Sequence, residues 1–386
     1  MSKIKVNSLE GVGASTPAIS IDNASGTCTA NITNNLSNRN LIINGAMQVA
    51  QRGTSSTTSG YATVDRFRTA ATGVDEAPTF AQVDVSSGTT PYTLGFRKAF
   101  KITNGNQTSG AGTNDNIEFM TRLEAQDIAN SGWNYVSSSS FVTLSFWIKS
   151  SVAQNFFGRI QTADGTAQRY AIETGSLSAD TWTKITKTIP GNSNLQFDND
   201  NGEGLRISLY AFLGTAKTDS SSLNTWAASA DGNRTPDQTS TWYTTNDATL
   251  EMTGFQFEVG STATAFEHRS FGEELSLCQR YYFKFLEGNN KEIAPGWYYT
   301  GSHVSFILRY PTTMRTTPTG SVTDVSNSIT IYRNGAADQF DGFSFEYGST
   351  EQYSVYNSTQ VSGTAGQCGI VRSTSSAAKI EFSAEL

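Results

Sequence analysis

Hydrophobic and polar side chains alternate along much of this chain, and the alternation predicts short β-strands. It is clearest in residues 141–149, where four apolar side chains occupy every second position: Val142, Leu144, Phe146 and Ile148. Side chains of a strand point in turn to the two faces of a sheet, so these four share one face. Residues 182–189 and 205–213 alternate in the same way.

The stretch 205–213 separates a core face from an outer face. The pattern assigns four aliphatic side chains to the core: Leu205, Ile207, Leu209 and Leu213. It assigns the side chains between them to the opposite face: Arg206, Ser208, Tyr210 and Phe212. Strands of this kind, joined by turns rich in glycine and asparagine, predict a sandwich of two sheets.

The apolar phase changes within residues 250–259. Leu250 and Met252 face one way, but beyond Gly254 the apolar positions move by one residue to Phe255 and Phe257. Because a strand has a period of two, a slip at a glycine predicts a β-bulge.

Residues 271–286 are predicted to form a helix. Ser270 and Glu273 have the spacing of a capping box, and Gly288 is a suitable stop. Apolar side chains then recur at helical spacing: Leu275, Cys278, Tyr282 and Phe285. This stripe either covers the end of its own domain or also packs on other copies of the chain.

Length and composition favour a mainly β protein with two or three domains. The chain has 386 residues, of which 16% are charged and 37% hydrophobic, and it contains 34 glycines. We place a first β-domain at residues 40–268, a connecting helix at 269–286 and a second, smaller β-sandwich at 287–386. Residues 1–39 carry too few large apolar side chains to form a core alone, so they are expected to be unstructured or to fold on partners.

Charge and hydropathy argue against several classes of function. A net charge of −7 disfavours a nucleic-acid partner. No apolar run approaches the about 18 residues of a membrane span, so we expect no membrane insertion, and the N-terminus lacks the apolar core of a signal peptide. Three widely spaced cysteines predict neither a disulfide framework nor a zinc site.

Several distinctive motifs follow one another along the chain: residues 2–11 (SKIKVNSLEG), 41–49 (LIINGAMQV), 51–53 (QRG), 64–67 (VDRF), 255–260 (FQFEVG), 263–267 (ATAFE), 278–282 (CQRYY), 310–319 (YPTTMRTTPT) and 383–386 (SAEL). In type and order they resemble motifs of phage virion proteins, namely tail fibres and other receptor-binding appendages, especially of marine and cyanobacterial phages.

The resemblance implies a fold, partners and a location. It implies that residues 40–268 form a jelly roll similar to carbohydrate-binding modules, and that residues 287–386 form the tip of a fibre. It implies that residues 1–39 attach to other virion proteins or form a stem between copies, with a plain unstructured tail as the alternative. A homotrimer on the tail or capsid surface, made in the host cytoplasm, is the expected assembly.

Exposed aromatic side chains are the expected means of binding a host polysaccharide, because flat rings stack on the C–H faces of sugars. The candidates lie in the polar segment 214–249 and after Pro295: Trp226, Trp242, Tyr243, Trp297 and Tyr299. For each of them the alternative is packing in a core.

One loop could hold a structural calcium ion. Residues 198–204 (DNDNGEG) bring several side-chain oxygens close together, and the candidate ligands are Asp198, Asp200 and Glu203. The spacing is not that of an EF-hand, and the alternative is a solvated turn. No other cofactor is expected.

The sequence has no recognisable catalytic motif, and its only histidines are His268 and His303. We therefore expect a non-enzymatic phage appendage that binds host surface glycan. One alternative is a structural capsid decoration or connector without glycan binding. The other is a polysaccharide depolymerase, whose paired carboxylates a sequence cannot locate.

Overall fold

The structure is a computed structural model, and it describes residues 8–9, 19–21, 28–30, 38–219, 222–323 and 325–386. Most of the segment 1–39, for which attachment or oligomerisation was predicted, lies outside these residues. Three short antiparallel strands are described within it: β1 (Ser8–Leu9), β2 (Ile19–Ile21) and β3 (Cys28–Ala30).

A two-sheet sandwich follows, as the alternating sequence predicts, and it has the jelly-roll fold that the resemblance implies. Its strands are β4 (Ser55–Ser56), β5 (Phe67–Thr72), β6 (Thr79–Asp84), β7 (Lys98–Thr103), β8 (Asn116–Glu124), β9 (Phe141–Ser150), β10 (Asn155–Thr162), β11 (Gln168–Ser176), β12 (Thr183–Pro190), β13 (Glu203–Leu213), β14 (Trp226–Ala228) and β15 (Thr249–Val259). One sheet has the order β14-β11-β10-β13-β8-β5, and the other has the order β12-β9-β15-β7-β6-β4. Neighbouring strands pair antiparallel throughout both sheets.

The two inner faces of the sandwich share one core. The four apolar side chains of β9 predicted to lie together are all buried there. Phe255 of β15 is central: its ring stacks on Phe146 with centroids 4.8 Å apart and also contacts Phe67 and Phe119. Burying large aromatic rings in offset and tilted contacts is the main source of stability in such a core.

The predicted β-bulge is present in β15. The register between β15 and β9 shifts between Thr253 and Gln256, and Gly254 has a φ of +69°. A side-chain Cβ at Gly254 would lie 2.7 Å from the ring of Phe96, so both conformation and space require glycine. The bulge brings Phe255 and Phe257 into the core, beside the buried Met252.

The prediction for the outer face of β13 is wrong at Phe212, which is buried in the shared core. The register of β13 against β8 shifts between Tyr210 and Phe212, which turns Phe212 inward, where it stacks on Tyr243 at 4.3 Å. Ser208 and Tyr210 lie on the outer face, as predicted, and are buried because that face is covered.

The helix predicted over 271–286 begins correctly and ends too late. Helix α4 spans Phe271–Gln279, and its N-cap Ser270 accepts a hydrogen bond from the backbone N–H of Glu273 at 3.3 Å. The chain then enters strand β16 (Tyr282–Glu287), which pairs with the last strand of the chain. Tyr282 and Phe285 are therefore strand residues, since sheet pairing outweighs the helical spacing of their side chains. The other helices are single turns: α1 (Thr90–Thr93), α2 (Ala125–Ala129) and α3 (Thr241–Thr244).

The C-terminal part of the chain forms a second β-domain around its own core. Its remaining strands are β17 (Glu292–Thr300), β18 (His303–Arg309), β19 (Thr319–Val322), β20 (Ile329–Arg333), β21 (Ala336–Phe340), β22 (Ser344–Glu346), β23 (Gln352–Asn357), β24 (Cys368–Ser373) and β25 (Lys379–Ser383). A three-stranded sheet, β16-β25-β19, accompanies a seven-stranded sheet of order β21-β20-β24-β17-β18-β23-β22. Phe306, Ile331, Val371 and Phe382 are among the fully buried residues of this core.

Charged groups hold the two β-domains against each other. The Arg66 guanidinium, 2% exposed, pairs with Glu385 and lies 3.4 Å from the ring centroid of Tyr281. Arg280 donates two hydrogen bonds, of 2.9 and 2.8 Å, to the carboxylate of Glu124. Bidentate pairs of this kind fix orientation as well as distance. In the described part of the chain, the helices are too short and too polar to span a bilayer.

Candidate functional site

The seven-stranded sheet of the second domain has one face on the core and the other in solvent. Along β17 the burial alternates: Tyr298 is buried, whereas Pro295, Trp297 and Tyr299 are exposed. This follows from the period of two in a strand, because only one face of the sheet is covered.

Neighbouring strands add large apolar side chains to the same outer face. Ile370 of β24 has Pro295 and Tyr332 as Cα partners on its two sides, and Cys368 faces Trp297 across the same pair of strands. Ile307 of β18 lies two residues from Ser305, the partner of Trp297. We call this surface the aromatic face, defined by Pro295, Trp297, Tyr299, Ile307, Tyr332 and Ile370.

The members of the aromatic face are well exposed for residues of their size. The exposed fractions are 36% for Trp297, 71% for Tyr299, 37% for Ile307, 42% for Tyr332 and 40% for Ile370. Isolated exposed apolar side chains are common, but several on adjacent strands of one sheet form a contiguous patch that marks an interaction surface.

A short aromatic row extends the face along β18 and β23. The Tyr299 ring meets His303 edge-on at 5.7 Å, and His303 stacks on Tyr356 at 4.9 Å with an interplanar angle of 12°. His303 Nε2 lies 3.0 Å from the hydroxyl of Ser305, which fixes the ring in place. At the other edge, the Arg372 guanidinium lies 5.7 Å from the ring centroid of Tyr332.

The aromatic face can bind a ligand by stacking on the exposed rings and by hydrogen bonds to the polar side chains beside them. Flat exposed rings accept the apolar face of a sugar or of another side chain. Arg372 and His303 lie beside the rings and can hydrogen-bond to hydroxyl groups of a ligand. Because the rings stand on a paired sheet rather than on loops, their spacing is fixed before any ligand binds.

Two of the five predicted aromatic candidates, Trp297 and Tyr299, therefore lie together on an open surface. The other three do not. Trp242 and Tyr243 are fully buried, and Trp226 is buried against Tyr170. Their assignment to a sugar-binding surface is wrong.

Hydrogen bonds satisfy the polar atoms of these three aromatic residues, so that burying them in the core carries little cost. Trp242 Nε1 donates to the Thr249 carbonyl at 3.0 Å, and Trp226 Nε1 donates to the Pro190 carbonyl at 2.7 Å. The Tyr243 hydroxyl lies 2.9 Å from Asp115 Oδ2, and burial raises the pKa of the phenol. A polar segment of the sequence can thus contain aromatic residues of the core when their polar atoms form hydrogen bonds within the protein interior.

The three predicted calcium ligands do not come together as a site. Glu203 is occupied by Arg122 and Arg206, with N–O distances of 3.0 and 2.8 Å. Asp200 accepts from the N–H of Gly202 within its own turn, and Asp198 accepts from Gln196. Within the ranges that the structure describes, no group of three acidic, histidine or cysteine side chains is arranged to hold a metal ion.

The sequence contained a signal for three of the residues that were missed: Pro295, Ile307 and Ile370. Pro295 alternates with buried positions of β17 in the same phase as Trp297 and Tyr299, and Ile307 and Ile370 occupy exposed positions that alternate with buried ones in their own strands. The sequence alone does not reveal the order of the strands in the seven-stranded sheet, in which β20, β24, β17 and β18 are neighbours.

No protein-family model and no curated protein sequence matches the chain. Among solved structures, it is similar to the enzymatically active domain of tailspike protein 4 of bacteriophage CBA120, with 10% identity and a TM-score of 0.30 over 57% of this chain and 21% of that one. It is similar to a putative sugar binding protein from Bacteroides thetaiotaomicron, with 11% identity and a TM-score of 0.31 over 57% of this chain and 100% of that one.

A third similar structure is the CBM22-1 xylan-binding domain from Paenibacillus barcinonensis, with 10% identity and a TM-score of 0.27 over 58% of this chain and 96% of that one. The chain thus spans about a fifth of the tailspike domain that it matches. At these identities and TM-scores the likeness defines neither a ligand nor an activity for this chain.

Proposed function

We propose that the protein is a non-enzymatic phage virion appendage, a tail fibre or similar host-recognition protein, that binds a surface glycan through the aromatic face. The observation that carries the glycan assignment is the placement of Trp297 and Tyr299 side by side on an exposed sheet. The phage assignment rests on the ordered motifs in the sequence.

Three copies of the chain would raise the affinity of such a surface. A single aromatic face without a deep pocket binds a sugar weakly, because little of the ligand is removed from water. A homotrimer would present three faces to one polymer, so that the second and third contacts become intramolecular. In this proposal residues 1–39 join the trimer to other virion proteins.

The structural alternative also has an observation in its favour. Ile307, Ile370 and Pro295 lie among the rings, and aliphatic side chains suit a protein surface better than a sugar. In that case the aromatic face is covered by another virion protein, and the protein is a capsid decoration or a connector.

Mixing the purified protein with envelope polysaccharide from candidate cyanobacterial hosts tests the proposal. Co-sedimentation and polymer length are followed in the same tube. We expect binding with unchanged length. Shortened polymer would establish the depolymerase alternative, and failure to bind any host material would favour the structural alternative.

A further inference from the structure

A cleft of about 180 Å³ lies on the outer face of the first domain, over strands β9 and β12. Ser145 and Trp147 of β9 are on this face, because Leu144 and Phe146, which alternate with them, are buried in the core. Lys184 of β12 is the Cα partner of Trp147. These residues form the side of the cleft that the sheet provides.

Three aromatic rings from two covering loops form the opposite side of the cleft. Phe96, Phe266 and His268 contact one another, with ring centroids 4.9 to 5.1 Å apart. His268 Nε2 donates to the Leu94 carbonyl at 2.9 Å, which holds the imidazole in place. The Phe96 ring also packs against Gly254, so the β-bulge positions this wall. We call this space the Trp147 cleft, defined by Phe96, Ser145, Trp147, Lys184, Phe266 and His268.

The polar groups on the sheet side of the Trp147 cleft are donors without partners. Ser145 is only 4% exposed, yet its hydroxyl makes no hydrogen bond within the described ranges. The Trp147 indole N–H and the Lys184 ammonium also have no partner among the described residues. Because an almost buried hydroxyl is nearly always hydrogen-bonded in a folded protein, a ligand in the cleft supplies the missing partner.

The acceptors beside the cleft, in contrast, already have donors. Thr264 lines the cleft and donates its hydroxyl to Glu258 Oε2 at 2.6 Å. Glu258 Oε1 accepts from Gln256 Nε2 at 2.8 Å, and the Leu94 carbonyl accepts from His268. The group that enters the cleft therefore needs an acceptor oxygen for the free donors and an apolar part for the rings.

We propose that the Trp147 cleft binds the acetamido group of an N-acetylated sugar. The methyl of this group packs between the rings, and its carbonyl oxygen accepts from Ser145 or Lys184. A carboxylate offers similar oxygens, but moving it from water into a cleft with aromatic walls costs more than moving a neutral carbonyl. The volume of about 180 Å³ admits one such group with part of its sugar ring. This inference does not depend on the aromatic face, which lies in the second domain.

Saturation-transfer NMR of the full chain with N-acetylglucosamine, glucose and glucuronate tests the proposal. N-acetylglucosamine should bind, with the strongest transfer to the protons of its acetyl methyl. Glucose lacks the acetamido group and glucuronate carries a carboxylate, so each should bind roughly tenfold more weakly. Absence of N-acetylglucosamine binding, equal binding of the three sugars, or tighter binding of glucuronate overturns the acetamido assignment.

Substitutions show whether the sugar binds in this cleft. Ser145→Ala removes the unpaired hydroxyl and should weaken binding of N-acetylglucosamine roughly threefold to tenfold. Lys184→Ala, at an exposed position where truncation leaves the core intact, should also weaken it. Ser276→Ala, in α4, and Trp297→Ala, on the aromatic face, are controls that should bind N-acetylglucosamine as the wild type does. Binding that survives both cleft substitutions, or that is lost in Trp297→Ala, contradicts the site.

Discussion

At the scale of single residues, two positions of the first domain are under unusual physical constraint: Gly254 and Asp65. Gly254 is the point where β15 changes phase, and the ring of Phe96 fills the space where a side chain would begin. Asp65 is the most unusual acid: 1% exposed, it accepts hydrogen bonds from the N–H and the side chain of Gln51 at the domain junction. Burial raises the pKa of Asp65 to about 6.

Gly254→Ala should destabilise the protein by about 1–3 kcal/mol. The substitution places a Cβ at a φ of +69° and against the Phe96 ring, so either the bulge or the ring must move. Urea unfolding measures the change in free energy. Gly272→Ala, where a Cβ meets open space, is the matched control, and equal losses at both positions would contradict the role of the bulge.

Asp65 should make the protein more stable as the pH falls from 7 to 5. The folded-state pKa of about 6 lies above the usual value of 3.8, so the folded state binds the proton more tightly in this range. The contribution of this one group is on the order of 1 kcal/mol between pH 7 and pH 5.

Unfolding of wild type and Asp65→Asn at both pH values isolates this contribution. The wild type should gain stability relative to the variant as the pH falls. A difference between the two proteins that does not change with pH would show that Asp65 is ionised in the folded state at pH 5.

At the scale of elements, the sequence predicted strands well and the end of a helix poorly. The alternation of 141–149 and the bulge in 250–259 required only local periodicity, because one face of each strand is buried. The prediction of a helix over 271–286 is wrong after Gln279, because the side chains of Tyr282 and Phe285 fit an apolar helical stripe and a strand equally well. Pairing with β25, about a hundred residues away in the sequence, decided between them.

Ser270→Ala should destabilise α4 and the protein by about 1 kcal/mol, because the N-cap hydroxyl satisfies a backbone N–H of the first turn. Thermal and urea unfolding measure the loss. Ser276→Ala, at an exposed position inside the same helix, should change stability by less than about 0.5 kcal/mol. Equal effects of the two substitutions would mean that the cap does not set the start of the helix.

At the scale of the whole molecule, function depends on neighbours that no local pattern reveals. Trp297 and Tyr299 were identified as candidates from their residue type, but Ile370 and Tyr332 joined them only through the order of the strands. Trp242 was wrongly assigned to a binding surface because it lies in a polar segment of the sequence, whereas its side chain is buried in the folded protein.

The most direct measurement compares polysaccharide co-sedimentation of wild type, Trp297→Ala, Tyr299→Ala and Phe271→Ala. Phe271 is an exposed aromatic residue of α4, outside the aromatic face, and serves as the matched control. Trp297→Ala and Tyr299→Ala each remove a stacking ring, so each should weaken binding to the polysaccharide roughly tenfold. Phe271→Ala should bind the polysaccharide as the wild type does. If Trp297→Ala and Tyr299→Ala sediment with the polymer as wild type does, the aromatic face is not the glycan-binding surface.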